Sequence, residues 1–247
     1  MVILLIIVFL WILGSNLSWW SIAILPTPKM VIGTFYNMFI DGSLFTSIGI
    51  SILRIFIGFI ITFLVAIPLG IFFGLNPKIY KKFNLLLEML RHIPPLALIP
   101  LIILWFGIGE KSKVIIIILA SFFPLFMNTL DGVKNCDQKL IEVGKTLNFS
   151  KDEIFMKILI PCAFPNIILG IKLALGYSWR AIIGAEMIAA SSGIGYLILD
   201  GQELSRPDVV MVGIILIGSL GLLTDYIFER FTKGLRNSKG NIENNGI

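Results

Sequence analysis

DGVKNCDQKLIEVGKTLNFSKDEIFMKILIP, Asp131 to Pro161, is the longest charged run before the C-terminal tail, and long apolar sequence flanks it on both sides. It carries Lys134, Lys139, Lys145, Lys151 and Lys157, with Asp131, Asp137, Glu142, Asp152 and Glu153 interleaved among them. A polar insert of this length between segments suited to lipid is more than a connection. It reads as a docking element at a membrane surface, and the flanking segments as the body it works on.

Those segments set the class. The 247 residues are 57% hydrophobic and 14% charged, against about 45–50% and about 25% in soluble domains. Several nearly uncharged runs suit a hydrocarbon layer about 30 Å thick. Spans must be helices or a closed barrel, and continuous apolar runs in place of alternating ten-residue segments exclude the barrel. The net charge of +5 is spread along the chain and does not suggest nucleic acid. Cys136 and Cys162 flank the insert, on the side expected to be reducing, so no disulfide framework is expected. His92, the single histidine, has no obvious ligand set around it, and no metal site is expected.

In chain order, Met1 to Leu13 is apolar with no Lys or Arg at its head, which reads as a first span and not a cleaved leader. Trp11, Trp19 and Trp20 are placed as interfacial anchors, and the LPTP of Leu25–Pro28 interrupts helix. Val31 to Ile40 reads as a short surface helix closed by Asp41-Gly42. Leu44 to Leu75 is a long span carrying Arg54, Pro68 and a Gly70-x-x-x-Gly74 stripe that permits close approach of another helix. Lys78, Lys81 and Lys82 mark a basic loop. Phe83 to Ile108 is a third span bent by Pro94, Pro95 and Pro100, and Val114 to Leu130 a fourth. After the insert come Phe164 to Ala190, a Gly- and Ser-rich outer loop Ser191 to Asp208, and Val209 to Phe228. The division is 1–43, first span and outer segment; 44–230, a five-span core containing the insert 131–161; and 231–247, a polar tail expected to be mobile.

Orientation follows from counting. With a cytoplasmic N-terminus, the inside loops hold Lys78, Lys81, Lys82, the five insert lysines, Arg230, Lys233, Arg236 and Lys239, twelve in all; the outside loops hold Lys29, Lys111, Lys113 and Arg206, four. Positive charge stays inside. Both termini and the insert are therefore expected in the cytoplasm, in a multi-pass protein of the plasma or inner membrane.

The insert reads as two short helices. Asp137 caps the first, in which Leu140, Ile141, Gly144 and Leu147 share a face, and Asn148 ends it in the left-handed conformation. Ser150 and Glu153 have capping-box spacing, Glu153 and Lys157 form an i,i+4 pair, and Pro161 stops the second helix. Glu142, Ile158 and Pro161 also have the spacing of the EAA loop of permease subunits of binding-protein-dependent ATP-binding-cassette importers. That pattern is Glu-Ala-Ala, a Gly six after the Glu, and Ile-x-Leu-Pro ending nineteen after it. Here Val143 and Gly144 stand for the alanines, Asn148 for the glycine and Ile160 for the leucine. Arg91–Lys113, Phe123–Asn135, Ser178–Arg180 and Ala185–Ile198, with LPTP near the start, resemble the nitrate, sulfonate, taurine and bicarbonate branch, aliphatic sulfonate permeases above all. The resemblance covers roughly residues 25 to 230.

This resemblance implies an all-α type I importer permease of six spans. It works as a homodimer with two cytoplasmic ATPase subunits and an extracytoplasmic solute-binding protein. Glu142, Val143, Gly144, Asn148, Ile158 and Pro161 are then the ATPase-coupling residues. No cofactor is expected in this chain, and ATP and magnesium belong to the partner ATPase. Gly144-Lys145-Thr146 ends like a phosphate-binding loop, but Lys139 stands where the first glycine belongs and no glycine-rich turn precedes it. The chain reads as a transport subunit and not an enzyme.

Charges inside spans usually face a cavity or a partner. Arg54 and Arg91 read as snorkelling or paired near an interface. Lys172, Arg180 and Glu186 are the translocation-pathway candidates, with Arg180 suited to a planar oxyanion; the competing reading pairs Arg180 with Glu186 across helices. The leading substrate class is a small oxyanion, aliphatic sulfonate first, then nitrate, taurine or bicarbonate. Three alternatives stand beside it: a permease of the same type for a thiamine-pyrimidine precursor, a secondary transporter driven by an ion gradient, and a membrane scaffold without transport. The secondary transporter calls for internal repeats, and none is visible in the chain.

Overall fold

The computed structural model describes residues 2–244, with side chains for residues 2–3 and 5–232. These residues are helical throughout apart from short connections: α1 Val2–Asn16, α2 Pro28–Ile40, α3 Ser43–Leu75, α4 Pro77–His92, a 3-10 turn Pro95–Leu98, α5 Ile99–Phe106, α6 Glu110–Lys134, α7 Gln138–Thr146, α8 Lys151–Ile154, a π-helical turn Phe155–Leu159, α9 Ile160–Ala189, α10 Ile194–Glu203 and α11 Pro207–Asn244. Four helices are long and apolar enough to cross a membrane: α3, α6, the continuous run Lys151–Ala189, and α11 over Pro207–Thr232. The pair α4 and α5 makes a fifth if it is counted as one span broken by 82°. α1 is apolar but shorter. Together these are the six apolar segments read from the sequence.

α6 is the central post, packed between α3 and α9. Its buried Ile116, Ile117, Leu125, Phe126 and Leu130 fill the contact. The Gly70/Gly74 stripe is used within the chain. A methyl at Gly70 would lie 2.7 Å from Cβ of Thr129, and one at Gly74 2.7 Å from Cβ of Val133, so α3 and α6 approach at a distance only glycine permits. The opposite faces are apolar and exposed, as in Leu53, Phe56 and Leu64 of α3 and Leu222 and Tyr226 of α11. A helix that turns apolar side chains outward is suited to lipid, where no hydrophobic force drives it inward.

Three sequence expectations are corrected. Lys78, Lys81 and Lys82 lie in the opening turns of α4 and not in a loop. Pro77 has the fixed φ suited to a first helical position, so Asn76-Pro77 ends one helix and starts the next. The segment Ser191 to Asp208 is not a loop, because α10 occupies its middle and buries Ile194, Gly195, Ile198 and Gly201 on one side. Pro161 does not stop the second insert helix. Proline removes a backbone donor and crowds the preceding turn; the π-helical turn before it, in which the Ile160 N–H bonds the Phe155 carbonyl, widens the helix and lets it run on into α9. The bend expected of the third span is present, but it lies at Ile93-Pro94, between α4 and the 3-10 turn. The tail 231–247 falls mostly on residues whose side chains lie outside the described set, its expected mobility included.

Candidate functional site

α3 runs alongside α6 in the same direction, Gly58 at Ile117 and Gly74 at Val133, and α9 returns against it, Gly132 at Ala163 and Gly170 at Leu125, so the bundle has two ends. At one end stand the α3–α4 junction, the foot of α6 and the insert. Lys134 Nζ sits 5.5 Å from the ring centroid of Tyr80, which ties that foot to α4. The insert forms as its caps dictate. The Asp137 side chain accepts from the Lys139 N–H at 2.9 Å, and Asn148 takes φ 56°. Ser150 and Glu153 close a reciprocal capping box, and Lys157 Nζ donates to Glu153 at 2.8 Å. The two arms then fold on each other. Gly144 is buried with its Cβ direction 2.6 Å from Cδ1 of Ile158, so Gly144 and Ile158 hold the insert together from inside and do not form its outer surface.

The outer surface carries apolar side chains among its charged ones. Leu140 is 50% exposed, Val143 55%, Leu147 61% and Met156 63%, and Glu142 is exposed as well. The face that periodicity gives to Leu140, Ile141, Gly144 and Leu147 is therefore split: Gly144 is buried, Ile141 half-buried, and Leu140 and Leu147 exposed. Among the six coupling candidates, Glu142, Val143, Asn148 and Pro161 are exposed, Gly144 is buried and Ile158 is half-buried.

Cys136 lies between α6 and α7 and is 3% exposed. Burial, with the neighbouring Cys162 thiol, pushes its thiol up to about 12. Since the thiolate is the reactive form, maleimide is expected to leave Cys136 unmodified even in permeabilised cells, whereas a Lys139→Cys substitution at an exposed insert position reacts. Labelling of the Lys139→Cys variant in intact and permeabilised cells therefore reads the side on which the insert lies; reaction of Cys136 itself at a comparable rate would contradict the burial described here.

At the other end an ionic cluster around buried Arg54 and Glu186 joins four helices and a loop. Arg54 of α3, 3% exposed, donates through Nε and Nη2 to Glu110 at 2.6 Å each, and through Nη1 to Glu186 at 2.7 Å. Nη1 also reaches the Ser192 carbonyl at 2.8 Å, and Nη2 the Ser192 hydroxyl at 3.1 Å. Glu186, with no exposed surface, accepts from the Ser51 hydroxyl at 2.8 Å and from the Gly195 N–H at 2.9 Å. The Ile194 N–H donates to Ser51 at 3.0 Å, and buried Lys113 donates to Glu110 at 2.8 Å. Buried Arg54 and Lys113 thus share Glu110, whose side chain is 63% exposed, while buried Glu186 is answered by Arg54, so that each buried charge has a partner. Gly193, at φ 108°, turns the chain directly over Glu186: a methyl there would strike its carboxylate.

This cluster places the pathway candidates. Glu186 is sealed inside the protein with Arg54 as its partner, and Arg180 is not brought to it. Arg180 is exposed, its guanidinium 5.5 Å from the ring centroid of Tyr177. Lys172 is half-exposed and pairs with Glu229 of α11 at 2.6 Å. Arg54 is paired, which is one of the two readings its sequence position allowed, and its partners are distant in sequence. Glu110 lies 56 and Glu186 132 residues away along the chain. The available signal was that Arg54 and Glu186 are opposite charges within spans, both in outer halves.

Comparison with known proteins agrees with this architecture. The chain is 38% identical over 236 residues to SsuC of Bacillus subtilis strain 168, named for aliphatic sulfonates transport as a permease protein, covering 94% of this chain and 86% of that one. It is 34% identical over 220 residues to the taurine transport system permease protein TauC of Escherichia coli K12, covering 84% and 80%. In fold it is similar to a chain of the MetNI methionine ABC transporter in an inward-facing conformation, with a TM-score of 0.65 at 16% identity over 74% of this chain and 92% of that one. Residues 66–237 match the family described as binding-protein-dependent transport system inner membrane component. That match takes in most of the chain, and together with the 38% identity to SsuC it shows that the chain belongs to this family.

Proposed function

We propose that this chain is the membrane subunit of an importer for a small organosulfonate or related oxyanion, driven by ATP hydrolysis on a separate subunit seated against the insert. The observation that carries the reading is the insert's outward face. A doubly capped pair of helices, rigid enough to hold its shape, turns Leu140, Val143, Leu147 and Met156 outward beside Glu142. Apolar side chains grouped this way on a charged surface mark a protein contact, and a carboxylate at the edge fits an arginine of the partner through a charge-assisted hydrogen bond. Two such subunits form the pathway between them, two ATPase subunits carry ATP and magnesium, and an extracytoplasmic binding protein delivers substrate. The insert and both termini are cytoplasmic.

The names of SsuC and TauC, both of which concern organosulfonates, support that substrate class. ATP acts by biasing the inward- and outward-open states through the insert. The test is uptake of a labelled alkanesulfonate into proteoliposomes holding this chain, its ATPase and its binding protein. Uptake is expected only with ATP on the insert side. Uptake driven by an ion gradient without ATP would overturn the reading in favour of a secondary transporter.

A further inference from the structure

Away from both ends lies a cavity of about 520 Å³, within the range of small-molecule pockets. Its walls come from the end of α4, the break at Ile93, the 3-10 turn, α6 and α9. Leu98, Phe122, Phe123 and Met127 make it mostly apolar, and Arg91 and Tyr177 bring polar atoms to it. Arg91 makes no ion pair with a carboxylate among the described residues, unlike Arg54, Lys113 and Lys172. A second guanidinium, that of Arg180, lies over the Tyr177 ring. The elbow points to the same place. Non-helical backbone at membrane depth is tolerated where it is buried in protein or lines a water-filled cavity, and the 82° break borders this one.

We infer that this cavity is a transit site for an anion with a short alkyl chain, its charged head on Arg91 and its chain against Leu98, Phe122, Phe123 and Met127. The chemistry selects the class. A bare inorganic oxyanion would meet Arg91 on one side only and shed its water against apolar walls on the others, and a neutral alcohol would leave the guanidinium unanswered. An alkanesulfonate satisfies both parts, because three sulfonate oxygens accept from the planar fork while the chain is removed from water. Arg180, stacked on Tyr177, supplies further positive potential beside the site. This rests on the importer reading above for the substrate's class but not for the site's existence.

The test uses the assembled transporter in nanodiscs without nucleotide, in a Cys162→Ala background, with a thiol placed on the cavity wall by Leu119→Cys. The rate of its modification by a small maleimide is followed with hexanesulfonate, hexanol or sulfate present. Hexanesulfonate is expected to slow modification at least about tenfold at saturation and the other two to leave it nearly unchanged. Arg91→Gln, an exposed position whose replacement leaves packing intact, is expected to raise the hexanesulfonate concentration needed by about tenfold, one guanidinium contact's worth. Arg91→Lys is expected to restore part of it. Equal protection by hexanol, no protection at all, indifference to Arg91→Gln, or a wall thiol already unreactive because a second copy of the chain covers it would each overturn the site. Coupled uptake without protection removes the site and leaves the importer reading standing; protection without ATP-driven uptake does the reverse.

Discussion

Replacing Arg54 by alanine is expected to destabilise the folded chain by about 3–5 kcal/mol. The substitution leaves Glu186, with no exposed surface, as an uncompensated buried carboxylate, and frees the Ser192 carbonyl and hydroxyl that now hold the loop after α9. A lysine at 54 is expected to recover only a fraction, since one ammonium cannot reach Glu110, Glu186 and Ser192 in the fork geometry that the guanidinium gives. Pairing Arg54→Met with Glu186→Leu is expected to recover more than half of the loss, because removing both charges removes the penalty of leaving one alone. Unfolding of detergent-solubilised protein, followed by denaturant titration, measures these variants together with Arg54→Met and Glu186→Leu alone. Additive losses in the double variant would show that Arg54 and Glu186 are not coupled as the 2.7 Å contact indicates.

The second large effect concerns the insert. Val143→Asp is expected to lower ATP-driven uptake at least tenfold, equivalent to about 1.4 kcal/mol of lost docking. A carboxylate placed in an apolar contact must be desolvated without a partner. Val143 is 55% exposed in the chain itself, so the stability of the isolated subunit is expected to stay within about 0.5 kcal/mol of the parent. Gly144→Ala is the informative companion. Its methyl points inward and meets the movable Cδ1 of Ile158 at 2.6 Å, so most uptake is expected to survive. Uptake and copurification of the ATPase are the measurements; loss of the folded subunit in Val143→Asp, or a larger defect in Gly144→Ala, would show the insert to be facing the other way.

The insert was the most legible part of the chain, for a physical reason. Its caps, the left-handed Asn148, the Ser150–Glu153 box and the Glu153–Lys157 pair are all settled between residues three or four apart. The spans were legible because lipid demands long apolar runs. What the sequence hid was whatever two distant segments decide together. Arg54 meets Glu186 only because α3 and α9 both pack on α6, and no local pattern announces that. α10 was read as a loop because Gly193, Gly195 and Gly201 look like breakers, yet each stands where a side chain would strike a neighbour: Glu186, the Ile183 carbonyl and Val209. Gly144 was placed on the insert's contact surface because nothing in its own helix shows that Ile158 folds back against it. Pro161 was read as a stop because a single widened turn, which no composition signals, lets the helix pass it.

That widened turn has a mechanical consequence. Because the helix runs unbroken from Lys151 to Ala189, 39 residues rising 1.5 Å each, the chain contains a strut about 58 Å long. Its foot is the arm on which an engine would pull, and Glu186 stands three residues from its tip. For a rigid strut of that length, a pivot of one degree at the foot displaces the tip by about 1 Å, a shift on the scale of the 2.7 Å contact between Glu186 and Arg54.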